Sequence, residues 1–216
     1  MKQLLNAVIG AVLGLNMVPA MAQDWSGLYA GVQIGYGFGD AGGRIAVGPL
    51  PRFDSSPEGP LTGAFMGYNW MMSPNWVAGV EGDISVSDIS DRGTSTAPPA
   101  AFNQRLKNAA ALRVRAGYSM GRYMPYAALG VAAGQVKTQA LNVVATNPSG
   151  KKVHKGFTAA LGMDMFVSDN AWMRVEFRHT NYGGASYAFN ELPGIVALRM
   201  DDYVSNEIRI GYALKF

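Results

Sequence analysis

The sequence predicts an all-β protein, an eight-stranded antiparallel up-and-down transmembrane β-barrel. Three observations support this fold: eight segments alternate apolar with small or charged residues, the connections between them alternate in length, and charged residues form only 15% of the chain. A soluble domain usually carries about a quarter charged residues. A soluble barrel or sandwich has the same period but would turn its apolar faces inward, whereas the polar faces here suit a narrow lumen.

The first three segments each show a period of two, which is typical of a strand with two unlike faces. The apolar positions of the first are Leu28, Ala30, Val32, Ile34, Tyr36 and Phe38. The second, LTGAFMGYNW, can line one face with Ala64, Met66, Tyr68 and Trp70, but its facing is undecided. The third alternates Trp76, Ala78, Val80, Ile84 and Val86 with Gly79, Glu81, Asp83 and Ser85.

The next three segments continue the pattern. The fourth, about residues 104–119, sets Leu106, Ala110, Leu112, Val114, Ala116 and Tyr118 opposite Lys107, Arg113, Arg115 and Ser119. The fifth, PYAALGVAAGQV, is predicted as a strand whose facing is undecided. The sixth sets Phe157, Ala159, Leu161, Met163, Met165 and Val167 opposite Thr158, Gly162 and Asp164.

The last two segments complete an even number of strands. The seventh sets Met173, Val175 and Phe177 against Arg174, Glu176 and Arg178, with His179 on the apolar side. The eighth sets Ile208, Ile210, Tyr212, Leu214 and Phe216 against Glu207, Arg209, Gly211 and Lys215. An even strand number returns both termini to the same side of the membrane, which in outer-membrane barrels is the periplasm.

The connections predict which end of the barrel faces outward. Long connections are expected near residues 40–60, 91–103, 137–155 and 184–200, whereas MMSPN, MGRYM and SDN read as tight turns. Short periplasmic turns and long external loops are typical of outer-membrane barrels. All four tryptophans, Trp25, Trp70, Trp76 and Trp172, then fall near the periplasmic strand ends, where we expect an aromatic girdle.

The N-terminal segment differs from the rest of the chain. Lys2 precedes an apolar run over residues 4–18, and Ala20-Met21-Ala22 follows it, so residues 1–22 are predicted to be a secretory signal peptide cleaved before Gln23. Residues 23–216 are then one barrel domain, placed in the outer membrane. The chain has no cysteine, and its net charge of +3 is too small to indicate nucleic-acid binding.

The inward positions of these strands carry five acids and five bases. They are Glu81, Asp83, Asp164, Glu176, Glu207, Arg113, Arg115, Arg174, Arg178 and Arg209. Buried charges must be paired to be tolerated. We therefore expect a salt-bridged plug; a proton or ion path is the alternative. The neighbouring third and fourth strands should pair their charges, and the charges of the seventh strand can reach Asp164 on the sixth and Glu207 or Arg209 on the eighth.

A glycine-rich stretch has the G-x-G-x-x-G spacing of a dinucleotide-binding loop at Gly37, Gly39 and Gly42. That fingerprint requires a following helix, and residues 43–60 contain too many glycines and prolines for one. We instead assign Gly31, Gly35 and Gly37 to the lumen face, and Gly39, Gly42 and Gly43 to the start of an external loop.

Catalytic and metal sites have little support in the sequence. Only His154 and His179 are present, and neither lies in a hydrolase motif. His154 belongs to KKVHK, which we expect in an external loop, and His179 is expected at the membrane interface. No enzyme activity, cofactor or metal is therefore predicted.

Four lysines form a basic patch that we expect on the external loops: Lys137, Lys151, Lys152 and Lys155. Solvated loop positions explain these charges. The alternative is contact with lipopolysaccharide phosphates or with an anionic host ligand.

Several segments together resemble the small alphaproteobacterial outer-membrane β-barrel proteins, relatives of the OmpA transmembrane domain. The segments are DWSGLYAGVQIGYGFG, GYNWMMSPNWVAGVEGDIS, LRVRAGY, GFTAALGMDMFVSDNAWMRVEFRHTNYGG and IRIGYALKF. The resemblance implies an outer-membrane surface antigen that stabilises the membrane and presents external loops, with adhesion or ligand binding among the roles of relatives. It also implies lipid and lipopolysaccharide as partners.

The end of the chain carries a further implication of this resemblance. Ile210, Tyr212, Leu214 and Phe216 are similar to the C-terminal signal that the barrel-assembly machinery reads. Because the chain stops at Phe216, we expect no periplasmic peptidoglycan-binding domain. The alternatives to a structural role are a small passive channel and, more remotely, a lipid-modifying enzyme.

Overall fold

Ten antiparallel strands make up the computed structural model, which describes residues 23–45, 53–94, 101–141, 149–183, 185–187 and 198–216. In chain order they are β1 (Gly27–Ile45), β2 (Phe53–Ser55), β3 (Glu58–Met71), β4 (Trp76–Thr94), β5 (Ala101–Tyr118), β6 (Tyr123–Leu141), β7 (Ser149–Ser168), β8 (Ala171–Asn181), β9 (Ala185–Tyr187) and β10 (Leu198–Lys215). Within these residues there is no helix of the length and apolarity that a membrane crossing needs. The predicted signal peptide lies outside the described residues.

Eight strands form a closed wall, as predicted, because β1 pairs with β10 as well as with β3. The short strands β2 and β9 pair with the outer ends of β1 and β10. The strands are staggered around the barrel. A path that starts at Phe38 on β1 and steps from each residue to its register partner on the next strand returns to β1 at Leu28, ten residues lower. Such a stagger requires strands tilted by roughly 35–45°.

The outer face of the wall is apolar and exposed. Val32, Ile84 and Leu161 are 63%, 66% and 65% exposed, as their alternation predicts. The two strands of undecided facing follow the same rule. On β3 the exposed side chains include Met66, Tyr68 and Trp70, and on β6 they include Leu129 and Val131.

The interior is filled in three layers. At the end with the short turns, an aromatic floor packs Trp25, Tyr29, Phe65, Val77, Met124, Phe166, Trp172 and Ala213. Above it lie the buried charges. At the opposite end, an upper apolar layer contains Leu61, Ile89, Leu106, Ala132, Tyr182 and Tyr203.

Close packing explains the small residues of the inner face. Gly31 and Gly37 face inward, as predicted. A β-carbon on Gly31 would stand 2.6 Å from Phe65 Cζ, and one on Gly37 would stand 2.5 Å from Ile89 Cδ1. Such distances leave no space for a side chain on either glycine.

The predicted long loops are shorter than expected, since the strands extend into all four of them. Gly39, Gly42 and Gly43, assigned to a loop, lie in β1, and KKVHK lies in β7. Beyond the part of the barrel that faces lipid, a strand no longer needs one apolar face, so its sequence no longer alternates. The hydrogen bonds between strands continue there, and the strand is therefore longer than the alternation predicts.

Two facings were wrong on β5. Leu106, expected outside, is buried within the barrel, and Lys107, expected in the lumen, is exposed. The pairing of β5 with both neighbours shifts register between Leu106 and Asn108. A bulge of this kind shifts the inward and outward alternation by one residue, which accounts for both differences.

The tryptophan girdle was half right. Trp70 and Trp76 are 45% and 57% exposed on the outer face, but Trp25 and Trp172 are fully buried in the aromatic floor. Trp172 has the same parity as inward-facing Arg174 on β8, and Trp25 precedes β1 and enters the barrel mouth. All four lie at the expected end, but two of them face the lumen.

Candidate functional site: the charged layer inside the barrel

The structure brings all ten predicted lumen residues into one buried layer. They come from β4, β5, β7, β8 and β10, and each is at most 5% exposed. Period-two alternation puts them there, since every second residue of these strands points inward. The layer contains five acids and five arginines, so its formal charge is balanced.

The lower half of the layer is centred on Glu81 and Asp164. Glu81 accepts hydrogen bonds from Arg113, Arg115 and Arg174, with an Arg174 Nη1–Oε2 distance of 2.7 Å. Asp164 Oδ2 lies 2.6 Å from Arg115 Nη2, and its Oδ1 lies 2.8 Å from Arg174 Nε. Arg115 and Arg174 therefore link two carboxylates that belong to different strands.

The upper half is centred on Asp83 and Glu176. Arg178 lies 2.8 Å from Asp83 Oδ1 and 2.9 Å from Glu176 Oε1. Arg113 Nη1 reaches Glu176 Oε2 at 3.0 Å, and so joins the two halves. The layer ends at Arg209, which contacts Asp83 at 3.4 Å and Glu207 at 2.5 Å.

Sequence reasoning found the pairs on neighbouring strands but missed those across the lumen. Arg113 with Glu81 on β5 and β4, and Arg174 with Asp164 on β8 and β7, are register partners. Arg178 with Asp83 joins β8 to β4, which do not pair. Alternation gives a residue's face, whereas contacts across the lumen depend on the stagger of the whole barrel.

Three aromatic residues that the sequence did not assign to the layer contact it: Tyr29 and Phe65 of the floor, and Tyr126 of β6. Tyr29 Oη donates to Glu81 Oε2 at 2.8 Å, and Tyr126 Oη donates to Glu176 Oε2 at 2.7 Å. The Arg115 guanidinium lies 4.0 Å from the Tyr126 ring centre, and that of Arg174 lies 4.4 Å from the Phe65 ring centre. Tyr29 and Phe65 alternate with apolar outward residues in the sequence, a signal that could have identified them.

In this arrangement the carboxylates and guanidinium groups are held by one another, so none is left unpaired for a chemical reaction. Every acid of the layer contacts at least one arginine, and every arginine contacts at least one acid. A buried charge without such a partner is costly, whereas a hydrogen-bonded network can be tolerated. The layer therefore acts as a set of cross-braces between strands that do not pair.

The two histidines lie on opposite faces. His154, expected in a loop, is buried within the barrel, where its Nδ1 lies 3.4 Å from Gly183 O. His179 is exposed, and its Nδ1 lies 2.8 Å from Asn206 Oδ1 on β10. Across the described part of the chain, no cluster of three or more His, Cys, Asp or Glu side chains is placed to hold a metal ion.

The basic patch lies on strands rather than in a loop. The backbones of Lys137 on β6 and Lys151 on β7 are register partners, and Lys152 follows on β7. Lys155 is exposed on the outer face of β7 and pairs with Ala133 of β6.

The C-terminal residues lie where the alternation places them. Ile210, Tyr212 and Leu214 are exposed on the outer face of β10, and Phe216 is 74% exposed just beyond it. Phe216 N donates to Leu28 O at 2.9 Å. The chain end is thus joined to the start of β1.

Beneath the floor, the segment before β1 is held to the end of β10. Lys215 Nζ lies 3.0 Å from Asp24 Oδ2. The Ser26 hydroxyl and Lys215 both favour the ionised Asp24 carboxylate, and with the Ser26 hydrogen bond as the largest cause they lower its pKa from 3.8 to about 2.

Comparison with known proteins agrees with this geometry. Residues 8–216 match the family model described as outer membrane protein beta-barrel domain. The chain is 33% identical over 193 residues to a 25 kDa outer-membrane immunogenic protein of Brucella abortus, which covers 89% of this chain and 80% of that protein. It is 29% identical over 197 residues to a 22 kDa outer membrane protein of Rhizobium leguminosarum, covering 90% and 80% of the two chains.

Among solved structures, the outer membrane protein OprG of Pseudomonas aeruginosa superposes with a TM-score of 0.53 at 13% identity, covering 91% of this chain and all of that one. At this identity the likeness concerns the fold alone. The family match and the Brucella relative, together with the closed wall and its apolar outer face, show that the chain is an outer-membrane protein and belongs to the outer membrane protein β-barrel family.

Proposed function

We propose that this protein is a closed, non-conducting barrel that anchors in the outer membrane and presents the outer ends of its strands, and the segments joining them, at the cell surface. The observation that carries the proposal is the filled interior. Three successive layers of side chains cross the lumen: two are apolar, and in the third every charged side chain contacts an opposite charge.

The interior supports the absence of conduction in two ways. An eight-stranded barrel is just wide enough for side chains to fill it. In addition, an ion that passed the charged layer would have to separate arginines from carboxylates that already neutralise them, as at Arg174 and Asp164. Both features favour a structural barrel over the passive channel.

The length of the strands supports surface presentation. A tilted strand needs about 9–11 residues to cross the membrane, whereas β4 has 19 and β7 has 20. The excess lies at the end opposite the short turns, which is the external end. The word immunogenic in the name of the Brucella relative fits a surface that is accessible from outside.

A non-enzymatic role completes this proposal. His154 is inside the barrel and His179 is outside, so they cannot serve one active site. The buried carboxylates are held by arginines and are closed off by the apolar layers above and below.

Planar-bilayer recording of the purified protein tests the proposal, with a general porin as the positive control. We expect no steady ohmic steps from the wild type. Regular conductance steps would overturn the closed-barrel proposal in favour of the channel. Arg115→Ala serves as an internal comparison, because loss of one cross-brace should increase brief, irregular openings if the charged layer is what closes the lumen.

We also propose that the barrel-assembly machinery reads the apolar C-terminal positions, of which Phe216 is the last. Deletion of Phe216 should lower the amount of folded protein in the outer membrane and leave protease-sensitive chain in the periplasm. Lys215→Ala is the matched control, since it changes the adjacent residue but keeps the aromatic end. Unchanged levels after Phe216 deletion would contradict this role.

A further inference from the structure

The outer face of the barrel is not uniformly convex. Two adjoining cavities of about 550 and 520 Å³ lie on it between β3 and β7, and they share Ala110 and Ala133. We call them together the lateral furrow. Its floor is Ala110 and Ala133, and its walls are Val86 and Val153 on one side and Val131 and Phe157 on the other.

The register of the strands creates this furrow. Ala110, Ala133 and Lys155 lie on one line of paired residues across β5, β6 and β7. The wall residues Val153 and Phe157 are large and are 62% and 76% exposed, whereas Ala133 on the floor is half-buried. Small side chains between two lines of large ones therefore leave a groove on the outer face of the wall.

The furrow begins at the level of the external lipid headgroups. The outward positions of β7 are apolar from Phe157 to Val167, a span of 11 residues, and a tilted strand needs about 9–11 residues to cross the hydrocarbon. Lys155 is the next outward residue above this span. Outward polar residues begin at a similar level on the adjacent strands, with Asn108 on β5 and Gln135 on β6. From Lys155 the line of paired residues descends toward β5, because the barrel is staggered. The furrow thus leads from the headgroups into the outer half of the bilayer.

The mouth of the furrow is positively charged. Lys155 lines it and is exposed, and the residues around it, Ala133, Val153 and Phe157, are apolar. Higher on the same two strands, the backbones of Lys137 and Lys151 pair. A lysine on a flexible stem at this depth can reach a phosphate at the headgroup level while its methylenes stay in the apolar region.

We propose that the lateral furrow is a binding site for the lipid A part of lipopolysaccharide, with one acyl chain lying over Ala110 and Ala133 and a phosphate paired with Lys155. Lipid A carries both groups, in the leaflet toward which the furrow opens. The lipid face is the surface at which such a ligand is always present. This site is separate from the charged layer and does not depend on whether the barrel conducts.

Native mass spectrometry of the folded barrel in detergent tests the site. The probes are diphosphorylated lipid A, dephosphorylated lipid A with the same acyl chains, and phosphatidylglycerol. We expect the wild type to retain one diphosphorylated lipid A and to bind both other probes more weakly. Lys155→Gln should weaken binding of diphosphorylated lipid A roughly tenfold, the size of one charge-assisted contact, and leave the dephosphorylated form unchanged.

Filling the furrow separates the acyl contact from the phosphate contact. Ala133→Phe should weaken binding of both lipid A forms, and Ala110→Leu is a second, smaller filling variant in case the first folds poorly. Two matched controls lie outside the furrow. Ala127→Phe adds the same ring lower on the outer face of β6, and Lys215→Gln removes one charge at the opposite end of the barrel.

Each outcome decides the proposal. Loss in the furrow variants with both controls unchanged supports it. Equal binding of phosphatidylglycerol and lipid A would overturn the choice of lipopolysaccharide, because the site would then be a general anionic-lipid contact. Unchanged binding in folded Ala133→Phe and Ala110→Leu, or an equal loss in Ala127→Phe, would overturn the site itself.

Discussion

The inner and outer faces of the barrel wall differ most sharply over four consecutive residues of β5. Leu112 and Val114 are 63% and 62% exposed, whereas Arg113 and Arg115 are 1% and 4% exposed. A water-soluble barrel has the opposite arrangement, with its apolar residues inside. The contrast shows that lipid on one side reverses the usual burial rule. The buried charges are then held by one another and by hydroxyl groups inside the barrel, such as those of Tyr29 and Tyr126.

The two faces also differ in how many other residues a substitution affects. An outward residue such as Val114 mainly meets lipid, so its contribution depends on its own side chain and depth. Arg113 contacts Glu81, Asp83 and Glu176 from two other strands. A substitution on the inner face should therefore affect several strands at once, whereas one on the outer face should act locally.

The largest effect is expected from removing an inner charge. Arg115→Ala leaves Asp164 and Glu81 short of a partner, and this should lower the free energy of unfolding by about 3–5 kcal/mol, or less if water enters. Urea unfolding in lipid vesicles measures the change. Arg122→Ala, at an exposed turn where the guanidinium donates only to Phe166 O, should cost about 1 kcal/mol. Equal losses for the two variants would mean that the layer is neither dry nor coupled.

Adding a charge to the outer face should have the next largest effect. Val80→Arg and Ile210→Arg place a guanidinium against hydrocarbon and should each cost roughly 2–4 kcal/mol near the midplane. The same vesicle unfolding assay applies, and Val80→Leu is the apolar control. A negligible loss in both arginine variants would show that the assigned outer face does not meet lipid.

The two faces can also be compared by adding one methyl group to a glycine on each of them. A β-carbon on inward Gly162 would stand 2.5 Å from Tyr126 Cζ, whereas one on outward Gly82 meets nothing closer than 3.9 Å. Gly162→Ala should cost about 1–3 kcal/mol through overpacking, and Gly82→Ala should be neutral or slightly stabilising, by up to about 1 kcal/mol. Similar results for both would argue that Tyr126 shifts freely within the layer.

The smallest effect is expected for the exposed pair below the floor. The pKa of Asp24 is about 2 in the folded protein and 3.8 ordinarily, so its contribution is complete above about pH 4 and is lost as the pH falls toward 2. Because Asp24 is exposed, solvent limits this contribution to a few tenths of a kcal/mol. The stability difference between wild type and Asp24→Asn, measured from pH 5 to pH 2, should shrink over that window. A constant difference would contradict the assignment.

Alternation alone predicted much of this molecule, since the requirement that one face meets lipid acts residue by residue. The facing of Glu81, Arg113 and Arg174 follows from it directly. It could not predict that Arg178 reaches Asp83 across the lumen, because that contact depends on the ten-residue stagger of the closed wall.

Other features escaped prediction for local reasons. The bulge beside Leu106 cannot be seen in the alternation, and with it Leu106 faces inward and Lys107 outward. Trp172 shares its parity with Arg174, but the usual place of tryptophan at the membrane interface favoured the wrong face. Here the position in the strand was a better guide than the residue type.

The buried position of Trp25 restricts the order in which the barrel can assemble. Its Nε1 donates to Gly121 O at 3.3 Å, and its ring centre lies 4.1 Å from that of Phe166 and 5.7 Å from that of Trp172. These partners follow Trp25 in the chain by about a hundred residues or more. A residue near the beginning of the domain must therefore wait for a turn and for strands that come much later in the chain, and the floor can close only after β7 and β8 are in place.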